Sequence, residues 1–109
     1  MPPLAKMKGL IMVKRFQSPQ GYTVLKMSLF ECTSIFKGGA GICDNCGRAV
    51  LEGYYVPVLN HYLCPKCYQD FTQRTPYYPE DAYFESYWLD YVSKRIKKLG
   101  LALQQTETE

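Results

Sequence analysis

Cysteine is the residue of this 109-residue chain whose spacing most clearly predicts chemistry. Cys43 and Cys46 form one Cys-x-x-Cys pair, Cys64 and Cys67 form a second, and seventeen residues separate the two pairs. Four thiolates at such a spacing are typical of a structural zinc site, because Zn²⁺ accepts a closed tetrahedral shell of sulfur ligands. We therefore predict one structural Zn²⁺ held by these four side chains.

The two pairs are followed by different residues, and the difference predicts how each is positioned. Gly47 follows the first pair, where a tight turn beneath a sulfur favours a residue that adopts positive φ. Pro65 follows Cys64 and suits the first position of a helix, which would direct free N–H groups at the second pair. We expect a turn, then a hairpin, then a helix that carries the second pair.

This order of turn, hairpin and helix resembles the treble-clef group of zinc fingers. With His61 included, residues 43–73 are similar to the first half of a LIM domain, whose first zinc takes three cysteines and one histidine. The resemblance makes His61 the alternative fourth ligand in place of Cys67. Residues 68–109 contain no further cysteine or histidine, so the second zinc of a LIM domain has no ligands here, and LIM function is not carried over.

Iron is the competing metal, because it also accepts four thiolates, and the function would then be that of a rubredoxin-like electron carrier. Such a site needs a glycine turn after both pairs, whereas Tyr68 follows Cys67, so zinc is preferred. Cys32 stands outside the pairs, and we expect it to be a small buried hydrophobic residue.

The remaining sequence predicts a single α+β domain built around this zinc module. A hydrophobic fraction of 47% excludes a disordered chain, and the metal would stabilise a core too small to be self-sufficient. We divide the chain into a basic leader and β-hairpin (1–37), a zinc-binding module (38–75), an aromatic and basic helix (76–103) and a disordered tail (104–109). The predicted strands are 9–16, 22–30, 48–51 and 54–58, and a short return after His61.

Several residues set the expected boundaries of these elements. The turn between the first two strands is residues 18–21, and a break at 52–53 divides the next two. Pro57 lacks a backbone N–H, which predicts that its strand lies at a sheet edge. Helices are expected at 64–73 and 79–99. Phe84, Trp88, Tyr91, Ile96 and Leu99 would form the buried stripe of the long amphipathic helix, with Glu85 directed away from it.

The charge distribution and the hydropathy of the chain limit the classes of partner that we expect it to bind. The net charge is +3, and basic residues are concentrated before residue 43 and at Lys94, Arg95, Lys97 and Lys98. No stretch approaches the roughly 20 apolar residues of a membrane span, and no secretory signal is evident, so we expect a cytoplasmic protein without a membrane partner.

Four sulfur ligands would leave no open position for water, and no catalytic motif accompanies them, so we expect no enzymatic activity. We expect a small adaptor, regulator or inhibitor that contacts other proteins, including those of a nucleic-acid machine, or a second copy of itself. Its anchors would be Tyr83, Tyr87, Trp88 and Tyr91. The alternative is direct DNA or RNA binding through the basic N-terminal third and the basic residues 94–98.

Overall fold

The computed structural model describes residues 12–36 and 41–105. The strands are β1 (Met12–Gln17), β2 (Thr23–Ser28), β3 (Glu52–Val56), β4 (His61–Leu63) and β5 (Ala102–Gln105). The α-helices are α1 (Leu29–Ile35), α2 (Pro65–Arg74) and α3 (Ala82–Lys98), and a 3₁₀ turn at Pro79–Asp81 precedes α3. The predicted α+β class is confirmed. The predicted leader, residues 1–9, lies outside the described residues.

One five-stranded sheet joins the two ends of the described chain in the order β4-β3-β2-β1-β5. Its first hairpin was predicted: β1 and β2 pair antiparallel, and the N–H of Gly21 donates to the carbonyl of Ser18 at 2.9 Å to close the turn. β5 pairs parallel with β1, whereas the other neighbours are antiparallel. The strands β3 and β4 thus continue the sheet of the N-terminal hairpin.

The second predicted strand, 22–30, was too long, because α1 begins at Leu29. Ser28 ends β2 and caps the helix: its hydroxyl accepts from the N–H of Glu31, and the Glu31 carboxylate accepts from the N–H of Ser28. This reciprocal capping box satisfies two N–H groups at the start of the helix and outweighs the β preference of the local sequence.

The predicted break at residues 52–53 was also wrong, because both residues belong to β3. A Cβ on Gly53 would lie 2.6 Å from the Tyr62 ring, so glycine is needed there for a close crossing by β4 rather than for a break. Residues 48–51 form no named strand. Pro57 follows the end of β3, which pairs with β2 on one side and β4 on the other, so the strand preceding Pro57 is not an edge strand.

Apolar side chains cover both faces of the sheet. One cluster surrounds the second cysteine pair and α2; it contains Phe16, Tyr22, Val24, Tyr54, Val56, Leu63 and Tyr68. The other packs under α1 and α3; it contains Val13, Leu25, Met27, Cys32, Ile35, Tyr55, Tyr62, Val92 and Ile96. Cys32 is buried here, as expected, and burial raises the pKa of its thiol to about 11.

The long amphipathic helix is present, but its predicted buried stripe was wrong at three positions. Phe84, Tyr91 and Leu99 are exposed, whereas Glu85, Val92 and Ile96 are the buried residues of α3. Two of these buried residues are apolar and pack against the sheet. The helix is therefore rotated relative to the orientation that its largest side chains predicted.

The C-terminal residues also differ from the prediction. Gln104 and Gln105, which were assigned to a disordered tail, belong to β5 and lie opposite Lys14 and Arg15 of β1. Residues 106–109 lie outside the described part of the chain. Among the described residues, no helix is both long enough and apolar enough to cross a bilayer.

Candidate metal centre

The sulfur atoms of Cys43, Cys46, Cys64 and Cys67 lie within 4.8 Å of one another. The pair that bridges the two motifs, Cys46 Sγ and Cys64 Sγ, is 3.8 Å apart. A tetrahedral ion with bonds of about 2.3 Å to sulfur separates its ligands by roughly this distance. The four side chains are thus positioned to bind one metal ion.

A tight turn positions the first pair. The N–H of Gly47 donates to the carbonyl of Cys43 at 2.9 Å, and Gly47 has φ of +77° with no atom near the place of a Cβ. Glycine is therefore required for backbone conformation and not for space. Two N–H groups of this turn, those of Asn45 and Cys46, point at Cys43 Sγ from 3.4 and 3.5 Å.

The start of α2 positions the second pair, as the sequence predicted. Cys64 is the N-cap residue, Pro65 occupies the first turn, and the N–H of Cys67 donates to Cys64 Sγ at 3.4 Å. A sulfur takes the place of the usual capping oxygen. The positive end of the helix therefore faces the thiols, which favours their ionised, metal-binding form.

Asp44 and Asn45, the two residues between the first pair of cysteines, tie that turn to the rest of the site. Asp44 and Tyr62 exchange two hydrogen bonds of 2.8 Å: the Asp44 N–H donates to the Tyr62 carbonyl, and the Tyr62 N–H donates to the Asp44 carboxylate. The side-chain amide of Asn45 donates to Cys67 Sγ at 3.3 Å. Both contacts hold the turn against the elements that carry the second pair.

The thiols do not ionise equally in this arrangement. Burial opposes ionisation of Cys43, but the N–H groups of Cys46, Cys64 and Asn45 outweigh it and lower its pKa to about 6. The Asn45 amide favours ionisation of Cys67, yet burial and the neighbouring sulfurs together raise its pKa to about 12. Four thiolates this close repel one another, and a bound cation removes that repulsion.

The cluster is largely shielded from solvent. Cys43, Cys64 and Cys67 are buried within the apolar cluster around α2, and Cys46 is exposed. His61, the alternative ligand, is exposed on β4 and is not part of the group of four sulfurs. The geometry favours the four-cysteine ligand set over the set that includes His61.

The proposed aromatic anchors lie together on one face of α3. Tyr83, Tyr87 and Tyr91 are exposed by 84%, 58% and 46%, and they recur every four residues. Trp88 is half-buried among them: its ring lies 5.1 Å from that of Tyr87 and 5.7 Å from that of Tyr91, both edge-on. We call Tyr83, Phe84, Tyr87, Trp88 and Tyr91 the aromatic face.

The basic residues after the aromatic face are placed differently from one another. Lys94 forms an ion pair with Asp90 at 3.0 Å, and both side chains are well exposed. The guanidinium Nε of Arg95 donates to the carbonyl of Ile35 at 2.8 Å, which anchors α3 to the end of α1. Lys97 and Lys98 are exposed in the last turn.

Sequence reasoning missed the roles of Asp44 and Asn45, which hold the turn of the first pair, and of Glu85, which accepts a hydrogen bond from the Thr23 N–H. The only signal for the first two was their location between ligands, where short polar side chains can bond to neighbouring backbone. Glu85 gave a misleading signal, because an acidic residue in the first turn of a helix is normally solvated.

Comparison with known proteins does not assign the chain to a family. No protein-family model matches it, and no curated protein and no solved structure is significantly similar. The class of this protein therefore follows from its own geometry: a small α+β protein with a candidate four-cysteine metal site.

Proposed function

We propose that this chain is a zinc-stabilised, non-enzymatic protein-interaction module, an adaptor or regulator that contacts its partner through the aromatic face of α3. The observation that carries the proposal is the exposure of Tyr83, Tyr87 and Tyr91, which share one side of the helix. Both faces of the sheet are already covered by other side chains. Rigid aromatic rings on an ordered helix are typical anchors of protein interfaces.

Zinc is the proposed metal because the two cysteine pairs are held in different ways. The first pair lies in a glycine turn, and the second lies at the start of α2. This turn, hairpin and helix arrangement supports a treble-clef-like finger, whereas a rubredoxin-like iron site would be built from two similar turns. When bound, the metal cross-links the turn to the helix and so supplies folding free energy.

A structural role for the metal supports the non-enzymatic assignment. Four sulfur ligands complete a tetrahedral shell and leave no coordination position for water or substrate. Three of the four cysteines are also buried, so a substrate would have little access to the ion. The function then depends on the surface that the metal holds in place.

Direct nucleic-acid binding is the second candidate, because Lys94 and Lys98 follow the tyrosines on the same side of α3. Such a face could pair phosphates with lysines and stack bases on rings. However, Lys94 is paired with Asp90, and the Arg95 side chain is occupied by the Ile35 carbonyl. Of the four basic side chains in residues 94–98, these two are already engaged within the chain and are less available to contact phosphates. We therefore rank protein binding first.

Site-specific photo-crosslinking from Tyr87 tests the proposal. A crosslinking amino acid at Tyr87 in the zinc-loaded protein should capture a defined protein from the native host at moderate salt. The matched control places the same group at Phe30, which is exposed to a similar extent on α1 (60% against 58%). A protein captured from Tyr87 and not from Phe30 supports the aromatic face as the interface.

A parallel measurement separates the two candidates. Fluorescence anisotropy with labelled single-stranded DNA and RNA, repeated over a range of salt, should show only weak binding. Tight binding that falls steeply with salt and is lost on charge reversal of Lys94 and Lys98 would favour nucleic acid instead.

A further inference from the structure

Two charged side chains of opposite sign lie at equal distances in sequence from the centre of the aromatic face. Tyr87 is the central tyrosine, with Tyr83 four residues before it and Tyr91 four residues after it. Glu80 lies seven residues before Tyr87 and Lys94 lies seven residues after it. Both charged side chains are exposed. The aromatic face thus has an acidic group before it, in the 3₁₀ turn that leads into α3, and a basic group after it, in α3 itself.

We infer that the partner of the aromatic face is a second copy of this chain, packed antiparallel along α3 about a two-fold axis at Tyr87. This inference rests on the proposal that the aromatic face binds protein. In that register Tyr87 meets its own equivalent, Tyr83 meets Tyr91 of the other copy, and Glu80 meets Lys94. A two-fold axis repeats each unlike pair, so the Tyr83–Tyr91 and Glu80–Lys94 contacts are each made twice, and Tyr87 meets its equivalent once on the axis.

The geometry of helix packing permits this register. Residues that recur every four positions form a continuous ridge on a helix, and the three tyrosines form such a ridge. Lys94 lies about 10 Å beyond Tyr87 at 1.5 Å per residue, and Glu80, in the 3₁₀ turn that leads into α3, lies about 10 to 11 Å before it. When two ridges of this i, i+4 kind pack together, the helix axes cross at about 50°, which leaves the axes on the order of 12 Å apart at this distance from Tyr87. That separation is within the combined reach of a glutamate and a lysine side chain.

The exposed aromatic area is close to the minimum that a small dimer interface needs. The exposed fractions of Tyr83, Phe84, Tyr87 and Tyr91 (84%, 45%, 58% and 46%) amount to a little over two whole side chains. At about 200 Å² each, these rings would bury roughly 450 Å² per copy. The smallest biological interfaces bury about 500 Å² per copy, so full burial of these rings would supply most of a small dimer interface.

Dimer formation requires little rearrangement within each copy. Lys94 is paired with Asp90 in the single chain, but both groups are exposed by more than 60%, and exposed pairs contribute little to stability. Lys94 can therefore contact Glu80 of the second copy at small cost. The Arg95 contact with Ile35 lies to one side of the ridge and can stay in place.

Sedimentation equilibrium of the full zinc-loaded chain tests the inference. The wild type should sediment at twice the mass of the monomer, with a measurable dissociation constant. Tyr87→Ala should raise that constant about a hundredfold, because each dimer loses the ring from both copies. Phe30→Ala, the matched control on α1, should leave it unchanged. Zinc content and the circular dichroism spectrum show that each variant is folded.

A charge swap tests the antiparallel register. Glu80→Lys alone should raise the dissociation constant roughly tenfold, because it places two like-charge contacts in the dimer. The double variant Glu80→Lys with Lys94→Glu should restore dimer formation, since the unlike pairs are rebuilt in reverse.

Three results would overturn the inference: a monomeric wild type, a dimer indifferent to Tyr87→Ala, or a swap that fails to restore association. These results are distinct from failure of the proposed function. If the protein is monomeric but a crosslinker at Tyr87 still captures another protein, the dimer is refuted and the protein-binding role stands. If the aromatic face binds neither a second copy nor another protein, the dimer and the protein-binding role are both refuted.

Discussion

The carboxylate of Glu85 on α3 accepts a hydrogen bond of 2.9 Å from the backbone N–H of Thr23 at the start of β2. Both residues are buried, and they are 62 positions apart in sequence. The contact gives α3 a fixed rotation against the sheet: Glu85, Val92 and Ile96 face inward, so the tyrosines of the aromatic face point outward.

Removal of this carboxylate should destabilise the protein. Glu85→Ala leaves the Thr23 N–H buried without an acceptor, and we expect a loss of about 1–3 kcal/mol in the free energy of unfolding. Urea unfolding of the zinc-loaded protein measures it. Glu85→Gln keeps an acceptor and should lose less, and Asp70→Asn, at an exposed acidic residue of α2, should change the free energy of unfolding by less than about 0.5 kcal/mol. Equal midpoints for all three variants would contradict this role.

Zinc should be present at one ion per chain and should be required for folding. Elemental analysis of the purified protein should give near-stoichiometric zinc, and a chelator should abolish the cooperative thermal transition. Cys32→Ser is the control, because Cys32 is buried outside the cluster of sulfurs and should not alter metal content. A metal-free protein with unchanged melting would refute the prediction.

The ligand set should be ranked by substitution. Cys67→Ala removes one of the four clustered sulfurs and should disrupt metal binding, whereas His61→Ala should change affinity little. Asn45→Ala, which removes the donor to Cys67 Sγ, should weaken binding by about tenfold. Competition with a chromophoric chelator measures all three affinities. The reverse order for Cys67 and His61 would favour the LIM-like set.

Stability should decline at alkaline pH because of Cys32. Burial raises the pKa of this thiol from an ordinary value of 9.0 to about 11, so the unfolded chain loses its proton first as pH rises. The contribution of the buried, protonated Cys32 thiol to the free energy of unfolding is fully present below pH 9, and it is lost as pH rises through about 11. This difference in pKa between the folded and the unfolded chain corresponds to at most about 3 kcal/mol in the free energy of unfolding.

The Cys32→Ala variant isolates this effect, because alanine packs in the same place and does not titrate. The difference in the free energy of unfolding between wild type and variant should shrink as pH rises from 8 to about 10.5. Urea unfolding at several pH values measures it. A difference that stays constant over this range would show that ionisation of Cys32 is not coupled to folding.

The sequence by itself predicted which four cysteines lie together and which elements position them. Ligand spacing is a local property: two residues between cysteines allow one turn or one helix start to direct both sulfurs at one point. Gly47 and Pro65 then indicated which pair lay in which element. The β1–β2 hairpin was equally local, because the turn at residues 18–21 and its flanking β-rich stretches are contiguous.

Tertiary structure alone decided which side of α3 faces the sheet. Aromatic side chains are apolar enough to be buried and polar enough to be exposed, so helical periodicity could not assign the buried stripe. The hydrogen bond from the Thr23 N–H holds Glu85 in the interior, and the pairing of β5 with β1 returns the chain after α3 to the sheet. Both contacts join segments distant in sequence, and neither is encoded in the local pattern from which the helix was predicted.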